Sequence, residues 1–412
     1  MKLLHTSDWH LGRTLYSKKD RQDEQAAFLR WLLWTIESNN VELLIVAGDI
    51  FDNATPSSAS QKLYYDFLID VRRSGCRNVV IVGGNHDSPS FLNAPKDILA
   101  TLNVHVIGNA TENPEDEVIE ICDNSDETCA VVCAAPFLRE RDISRFIEGE
   151  TYGDRSKRIA ESIKNHYAEL AQIAEKKRDM ICYESSDSRR NYNTSKIPVI
   201  ATGHLSVAGG KKTEGDGVRD IYVGNIECVG NYIFPPVFDY VALGHYHIPS
   251  VIEQHIRYCG SPIAMGFGEA GQQKVVYIVD FKENIPDVTP VEIPVFQRLE
   301  SIRGDKMHIY NRLNALVQSG DSVWVEVLYE CEEVFPDLDT WANELTANTN
   351  IEILKIQNRQ YLNEVLTRNE SAQSLDELDK FDVFEILLAK NNVPEAQQEV
   401  LKELYRSLVY SL

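Results

Sequence analysis

The chain has 412 residues, which is enough for one large domain and one or two smaller ones around a sizeable core. Its net charge of −22 argues against polyanionic partners on average, although bound divalent cations would invert the field of a single groove. The charge therefore neither excludes nor indicates nucleic acid. No run of about 18 apolar residues is present, so the sequence predicts no membrane span.

The cysteines and the start of the chain bear on the compartment. The 8 cysteines form no CxxC pair, which argues against a zinc ribbon and against a disulfide framework. The first predicted strand begins at Lys2, without the apolar stretch of a signal peptide. Together these features predict a reducing, cytoplasmic location.

The first part of the chain alternates strands and helices. Apolar runs and helical periodicity predict strands at 2–6, 43–47 and 78–82, and helices at 21–39, about 57–74 and about 94–102. Further strands are predicted at 118–122, 129–135, 198–202, 240–243, 256–258 and 275–281. Between them, residues 139–196 predict a charged helical excursion with a polar, mobile tip at 185–195.

The last part of the chain predicts a small α/β unit and a helical tail. Strands at 297–302, 322–328 and 351–356 alternate with helices at 307–318 and 338–346. Residues 358–373 are polar and linker-like, and residues 374–412 predict two amphipathic helices. These helices either pack on the small unit or bind a partner.

Five predicted strands end in polar side chains that can bind metal ions. The ends are Asp8-Trp9-His10, Gly48-Asp49, Gly83-Gly84-Asn85-His86-Asp87, Gly203-His204 and Gly244-His245-Tyr246-His247. Residues two apart in an extended segment point the same way, so Asp8 and His10 can bind one ion together. His245 and His247 can face the site in the same manner.

Such a set of ligands fits two-metal phosphoester hydrolysis. Two divalent cations about 3.5–4 Å apart polarise a phosphate, activate a water molecule and stabilise a leaving oxygen. They need a bridging carboxylate and further nitrogen or oxygen ligands. Each motif alone has a plain structural alternative, because Asp-x-His is more often a turn. The ordered set of five is hard to explain by coincidence. The remaining histidines are predicted to be ordinary core or surface residues: His5, His105, His166, His255 and His308.

The same motifs resemble the calcineurin-like metallophosphoesterase superfamily. Further blocks resemble its SbcD branch, the nuclease subunits of bacterial SbcCD complexes. The blocks that carry this resemblance lie at 4–12, 47–52, 84–88, 201–205, 218–224 and 257–262. The resemblance covers nearly the whole chain and is densest before residue 265.

The resemblance implies an α/β (α+β) fold, a two-sheet β-sandwich flanked by helices, with a small α/β capping domain and C-terminal helices. It implies a nuclease domain at 1–281, a capping domain at 288–357, a linker at 358–373 and a helix-loop-helix at 374–412. In the family the tail helices dock on the coiled-coil base of an ATPase partner.

The resemblance also implies roles for the site residues. One Mn²⁺ is bound by Asp8, His10, Asp49 and His247, and Asp49 bridges to a second ion bound by Asn85, His204 and His245; Mg²⁺ is the alternative metal. His86 lies beside the leaving group, and Asp87 is expected to orient its ring. Archaeal and eukaryotic relatives carry a histidine three positions after the bridging aspartate, where this chain has Asp52.

The implied function is a Mn²⁺-dependent DNA nuclease, a double-strand exonuclease and a hairpin or single-strand endonuclease. It would serve DNA repair, recombination and replication with an SbcC-type coiled-coil ATPase, as a homodimer within a heterotetramer. A phosphoesterase for small molecules or proteins, or a non-catalytic docking scaffold, are the alternatives. Several basic residues near the metal loops are either phosphate contacts or a solvated face: Arg13, Lys18, Lys19, Arg21, Lys211 and Lys212.

Overall fold

The computed structural model describes most of the chain before residue 359. The described residues are 1–16, 18–145, 147, 149–187, 197–211, 228–282, 285–331, 335, 337–358, 388, 398, 401, 402 and 405. The predicted linker after residue 358, most of the tail, the predicted tip of the excursion after residue 187 and the block at 218–224 lie outside them.

The helices and strands alternate through the first half of the chain. Their order is β1 (Lys2–Thr6), β2 (Thr14–Leu15), β3 (Lys19–Asp20), α1 (Gln22–Asn39), β4 (Leu43–Ala47), α2 (Ser58–Arg73), β5 (Asn78–Val82), α3 (Pro89–Asn93), α4 (Lys96–Ala100), β6 (Val104–Ile107), β7 (Val118–Cys122), β8 (Thr128–Cys133), α5 (Glu140–Ile143) and α6 (Tyr152–Asp187).

Among the described residues, the second half contains more strands than helices. It continues with β9 (Val199–His204), β10 (Tyr240–Gly244), β11 (Ser250–Glu253), β12 (Ile256–Tyr258), β13 (Val275–Lys282), β14 (Ile285–Glu292), β15 (Arg298–Gly304), α7 (Lys306–Ser319), β16 (Val323–Tyr329), α8 (Leu338–Thr346) and β17 (Ile351–Asn358).

Two 6-stranded sheets form the main body, with strand orders β14-β13-β1-β4-β5-β6 and β11-β12-β10-β9-β8-β7. In the first sheet β1, β4, β5 and β6 are parallel. At one edge β13 pairs antiparallel with β1, and β14 pairs antiparallel with β13. In the second sheet β8, β9, β10 and β12 are parallel, between the antiparallel edge strands β7 and β11. The parallel strands therefore end at one edge of each sheet.

The two sheets pack face to face through an apolar layer. Leu3, Ile45 and Val80 of the first sheet and Ile200 and Ala242 of the second belong to one fully buried cluster. Helices α1 and α2 cover the outer face of the first sheet, and α6 covers the outer face of the second. Because both faces are covered, strands such as β4 are buried at every residue. The predicted β-sandwich flanked by helices is confirmed.

Two parts of this body differ from the sequence prediction. Helix α6 is not an excursion, because Ile163, Tyr167 and Leu170 pack in the core beside the second sheet. Strand β14 pairs with β13 along its whole length, so the first sheet continues past residue 281 to Glu292. The first sheet therefore includes residues 288–292, which were predicted to belong to the small unit.

The small unit has the predicted alternation of strands and helices. Strands β15, β16 and β17 form a parallel 3-stranded sheet in that order. One face packs against α7 and α8 through Ile309, Leu313 and Ala342. The other face packs against the main body, where Leu299, Trp324 and Leu354 meet Leu15 and Phe267. No described helix is both long and apolar enough to span a membrane.

Replacing Ile200 by Ala tests the layer between the sheets. Ile200 is 0% exposed, so the variant should lose about 2–5 kcal/mol of unfolding free energy through lost burial and a residual cavity. Urea unfolding in a chelating buffer measures this without a contribution from bound metal. Trp34→Ala is the control, because Trp34 is 61% exposed. Equal losses in the two variants would contradict the proposed core.

Candidate metal centre

The strand ends that carry the predicted ligands meet at one edge of the sandwich. Asp8, His10 and Asp49 follow β1 and β4 of the first sheet, and His204 and His247 come from β9 and the loop after β10 of the second. His10 Nε2 lies 3.2 Å from His247 Nε2, and His204 Nε2 lies 3.3 Å from Asp49 Oδ2. Each of these contacts joins one sheet to the other, so the site belongs to both.

Asp49 lies at the centre of the cluster. Its Oδ2 is 3.6 Å from His10 Nε2, and its Oδ1 accepts a hydrogen bond of 2.9 Å from the His86 backbone N–H. Asn85 Oδ1 lies 3.0 Å from His204 Nε2, which also approaches Asp49. Asp49 is 2% exposed. A carboxylate in this position can reach two ions at once.

The buried donors form three overlapping groups, each with ligand atoms within 4.8 Å of one another: Asp8, His10 and His247; Asp8, Asp49 and His204; His10, Asp49 and His86. The first group contains three of the four ligands predicted for one ion, and the second joins Asp8 and Asp49 to His204, a ligand predicted for the other ion. The third group includes His86, which was predicted to be a non-ligand. Carboxylate and imidazole donors at such spacing fit divalent cations. His245 joins the cluster through its ring, 5.4 Å from that of His204.

Four of the site residues have left-handed or otherwise positive backbone φ angles. The values are 52° at Asp8, 45° at His10, 50° at Asp49 and 102° at His245. A non-glycine residue in this region costs about 1–3 kcal/mol and concentrates at functional sites. The unfavourable backbone conformation of these loops is therefore explained by the need to place the four side chains in the site.

Two glycines allow the loops and sheets to approach closely. A Cβ at Gly84 would overlap the Asp49 carboxylate, and a Cβ at Gly244 would overlap the Ala47 carbonyl oxygen. Any side chain at these positions would separate the ligand loops. The glycines before the polar residues thus have a steric function.

The electrostatics of the cluster follow from burial and from neighbouring charges. Burial lowers the pKa of His10 to about 4, so its ring is neutral and able to bind a metal ion. Burial alone would raise the pKa of Asp49, but His204 and His10 hold it well below its usual value. Burial alone would lower the pKa of His204, but Asp49 raises it to about 9. An ion that binds His204 must therefore displace a proton.

His86 is oriented by a contact other than the predicted one. Its Nδ1 donates to the backbone carbonyl of Asp52 over 2.8 Å, since a carbonyl can only accept. Asp87 instead accepts backbone N–H bonds from Gly84, Ile50 and Phe51, at 2.9, 3.1 and 3.0 Å. Among the described contacts, Asp87 therefore fixes the loop that carries His86, and the ring is held by the Asp52 carbonyl.

The Asp52 side chain contacts His10. Its Oδ1 lies 3.3 Å from His10 Nδ1 and accepts a 3.1 Å bond from Arg13 Nη1. Burial alone would raise the pKa of Asp52, but His10 and Arg13 lower it to about 2. The Asp52 carboxylate is ionised and lies beside Nδ1 of His10, whereas Nε2 of the same ring faces His247.

The other basic residues near the first metal loop are engaged within the chain. Lys18 Nζ donates to the Leu354 carbonyl over 2.8 Å, and Lys19 forms an ion pair with Glu352. Arg21 is 1% exposed, and its ion pair with Glu24 measures 2.8 Å. Lys18 and Lys19 therefore attach the loop to the third sheet, a role that the sequence pattern did not predict.

Three further residues beside the centre were missed by sequence reasoning. Arg139 donates from Nη2 to the Asp87 carbonyl over 3.1 Å and lies 5.2 Å from the Phe137 ring. Glu269 Oε1 lies 3.6 Å from His247 Nδ1, and Lys274 forms an ion pair with Glu269. These residues are isolated in the sequence, so no motif spacing indicates them.

Comparison with known proteins agrees with this geometry. The family described as calcineurin-like phosphoesterase matches residues 1–249, and the SbcD_C family, described as type 5 capsule protein repressor C-terminal domain, matches residues 295–392. The fold and the site thus define a metal-dependent phosphoesterase.

Curated relatives extend the match to the whole chain. The SbcD subunit of the nuclease SbcCD of Escherichia coli (strain K12) is 34% identical over 418 residues, covering 100% of this chain and 98% of the relative. The corresponding SbcCD nuclease subunits of Rhodobacter capsulatus and Bacillus subtilis are each 33% identical, covering 68% of this chain and 66% of their own lengths. The chain belongs to the SbcD family of nuclease subunits. It is a metal-dependent hydrolase of the nuclease class.

Replacing Asp49 by Asn tests the centre of the cluster. Loss of the carboxylate removes the charge that would hold two cations at close range, so bound Mn²⁺ and hydrolysis should both fall to background. The fold should survive, because the core lies between the strands behind the loops. Elemental analysis after gel filtration measures the metal, and circular dichroism checks the fold. Full metal content together with wild-type turnover would contradict the assignment.

Proposed function

We propose that the chain is a Mn²⁺-dependent DNA nuclease that cuts double-strand ends and hairpins in company with an SbcC-type ATPase. The observation that carries the proposal is the buried cluster around Asp49, to which both sheets contribute donors. Membership of the SbcD family supports DNA as the substrate. Exonuclease action on duplex ends and endonuclease action on hairpins or single strands are parts of the same proposal.

The proposed metal centre has one ion bound by Asp8, His10, Asp49 and His247, and a second bound by Asp49, Asn85, His204 and His245. When bound, such a pair polarises the phosphodiester and supplies an activated water molecule. The mixture of imidazole and carboxylate donors favours a transition-metal ion over Mg²⁺, which prefers oxygen ligands and retains its water. The choice of Mn²⁺ among these ions rests on the resemblance to the SbcD family and not on the donor set.

His86 is the proposed proton donor to the leaving oxygen. Its Nδ1 is committed to the Asp52 carbonyl, which leaves Nε2 as the atom that can address a phosphate oxygen. The ring centroid lies 4.8 Å from that of His10, so the donor is adjacent to the proposed ligands. Asp87 and Arg139 hold the loop beneath it through backbone contacts. These contacts support His86 as the group that would donate a proton to the leaving oxygen.

The proposed roles of the domains follow their order along the chain. Residues 1–281, extended by β14, form the nuclease domain, and the small unit caps it through the contacts of Lys18, Lys19 and Phe267. The linker at 358–373 and the tail at 374–412 are proposed to bind the coiled-coil base of the ATPase. Two such assemblies would form a heterotetramer around a homodimer of nuclease subunits, in the cytoplasm.

One assay separates this function from its alternatives. Purified chain with Mn²⁺ is given linear duplex DNA, hairpin DNA and a p-nitrophenyl phosphodiester, with and without the ATPase and ATP. The proposal predicts DNA cleavage that is stimulated by the ATPase. Hydrolysis of the small ester with intact DNA would favour a small-molecule phosphoesterase. No hydrolysis of any substrate, with metal bound, would favour a non-catalytic scaffold.

Replacing His86 by Ala separates proton transfer from metal binding. A proton donor of this kind contributes about 10²–10⁴-fold to the rate, so turnover should fall by that factor while metal content stays unchanged. His204→Ala is the matched comparison and should lose metal as well as activity. If the metal content of the His86 variant falls as far as that of the His204 variant, His86 is a ligand.

A chain ending at residue 367 tests the role of the tail. The described core of the small unit ends before that point, so the shortened chain should keep its fold, its metal and basal nuclease activity. It should lose stimulation by ATP, because the ATPase can no longer be held. Co-purification of the ATPase with the shortened chain at unchanged affinity would show that the tail is not the docking element.

A further inference from the structure

Glu269 is a buried carboxylate that neither metal-ligand spacing nor the proposed mechanism uses. It is 0% exposed and ends the short 3₁₀ turn Phe267–Glu269, between β12 and β13. A carboxylate without contact to water is costly to keep ionised, so its neighbours must compensate the charge.

One oxygen of Glu269 is bound by groups of its own segment. Oε2 forms an ion pair with Lys274, which is 5% exposed, and accepts a 3.0 Å bond from the Met265 backbone N–H. Lys274 Nζ also donates to the His247 carbonyl over 2.9 Å and lies 3.2 Å from Ser261 Oγ. The ammonium group of Lys274 therefore contacts both the Glu269 carboxylate and the backbone carbonyl of His247.

The other oxygen of Glu269 faces the ring of His247. Oε1 lies 3.6 Å from His247 Nδ1, which is an ion-pair distance and not a hydrogen bond, and Oε1 accepts no described hydrogen bond. On the opposite side of the ring, His247 Nε2 lies 3.2 Å from His10 Nε2, within the group formed with Asp8. The two nitrogens of one imidazole thus face a carboxylate and the metal cluster.

We propose that Glu269, held by Lys274, is the positioning residue of His247. With the ion bound, Glu269 Oε1 accepts a hydrogen bond from His247 Nδ1–H as the two atoms, 3.6 Å apart in the structure, approach each other. This hydrogen bond leaves the Nε2 lone pair directed toward the first ion and fixes the ring. A carboxylate in this position makes the imidazole a better ligand, and its loss typically costs 10–100-fold in metal affinity. The inference rests on the proposed metal centre and adds a residue on which the affinity of that centre depends.

The chain contains a matched control for the removal of a buried glutamate. Glu117 is also 0% exposed, and its Oε2 lies 2.8 Å from His166 Nε2. Neither residue belongs to the three described groups of metal donors. Glu117→Gln therefore disturbs a buried Glu–His pair without touching the site.

The experiment measures Mn²⁺ binding to the full-length, metal-free chain by electron paramagnetic resonance of the free ion. Glu269→Gln should raise the dissociation constant of one Mn²⁺ by about 10–100-fold, whereas Glu117→Gln should change it less than 2-fold. In a His247→Ala background, Glu269→Gln should cause no further loss, because its effect passes through that ring. Unchanged affinity in Glu269→Gln, or an equal loss in both glutamine variants, would overturn the inference.

Failure of the proposed metal centre gives a different result, because the wild-type chain would then bind no Mn²⁺ at all. Failure of the proposed nuclease function alone would leave the wild-type chain binding Mn²⁺ and would be seen as intact DNA in the cleavage assay. Should Glu269→Gln not fold, ¹⁵N-histidine spectra of the wild-type chain with Cd²⁺ bound decide the matter. A protonated Nδ1 and a metal-bound Nε2 at His247 support the inference. The opposite assignment of the two nitrogens overturns it.

Discussion

The close approach of two sheets at one edge is the constraint on which the site depends. Strands β4 and β10 lie so near each other that a side chain at Gly244 would strike the carbonyl of Ala47. This approach brings His204 of one sheet to the Asp49 carboxylate of the other, where each charge offsets the desolvation of its partner. A buried carboxylate among imidazole rings lowers the stability of the fold unless nearby positive charge compensates its desolvation. It is a suitable place for cations.

The small unit is attached at the same loops that carry the ligands. The β2–β3 hairpin follows His10 by a few residues, and its Leu15 and Lys18 contact the third sheet. Phe267, in the turn that ends with Glu269, packs in the same interface. The packing of the third sheet and the geometry of the metal cluster are therefore not independent. Lys18 and Lys19, which lie close to the first metal-ligand loop, serve this attachment.

Sequence patterns predicted the strands well where a local signal exists, and the structure brings most of the predicted ligands together at one edge of the sandwich. The runs of β4 and β5 are apolar on both faces and end in glycine, so their bounds match the prediction to the residue. Strand β14 was missed because it carries Pro286 and Pro290 among polar residues, which an edge strand tolerates. Glu269 has no signal at all, because its role arises from contacts between distant segments.

Anomalous diffraction from crystals grown with Mn²⁺ tests most directly whether two ions share the Asp49 carboxylate. The account predicts two Mn²⁺ peaks about 3.5–4 Å apart on either side of the Asp49 carboxylate. One peak should contact His10 and His247, and the other should contact Asn85 and His204. A single peak, or two peaks of which only one touches Asp49, would contradict the account.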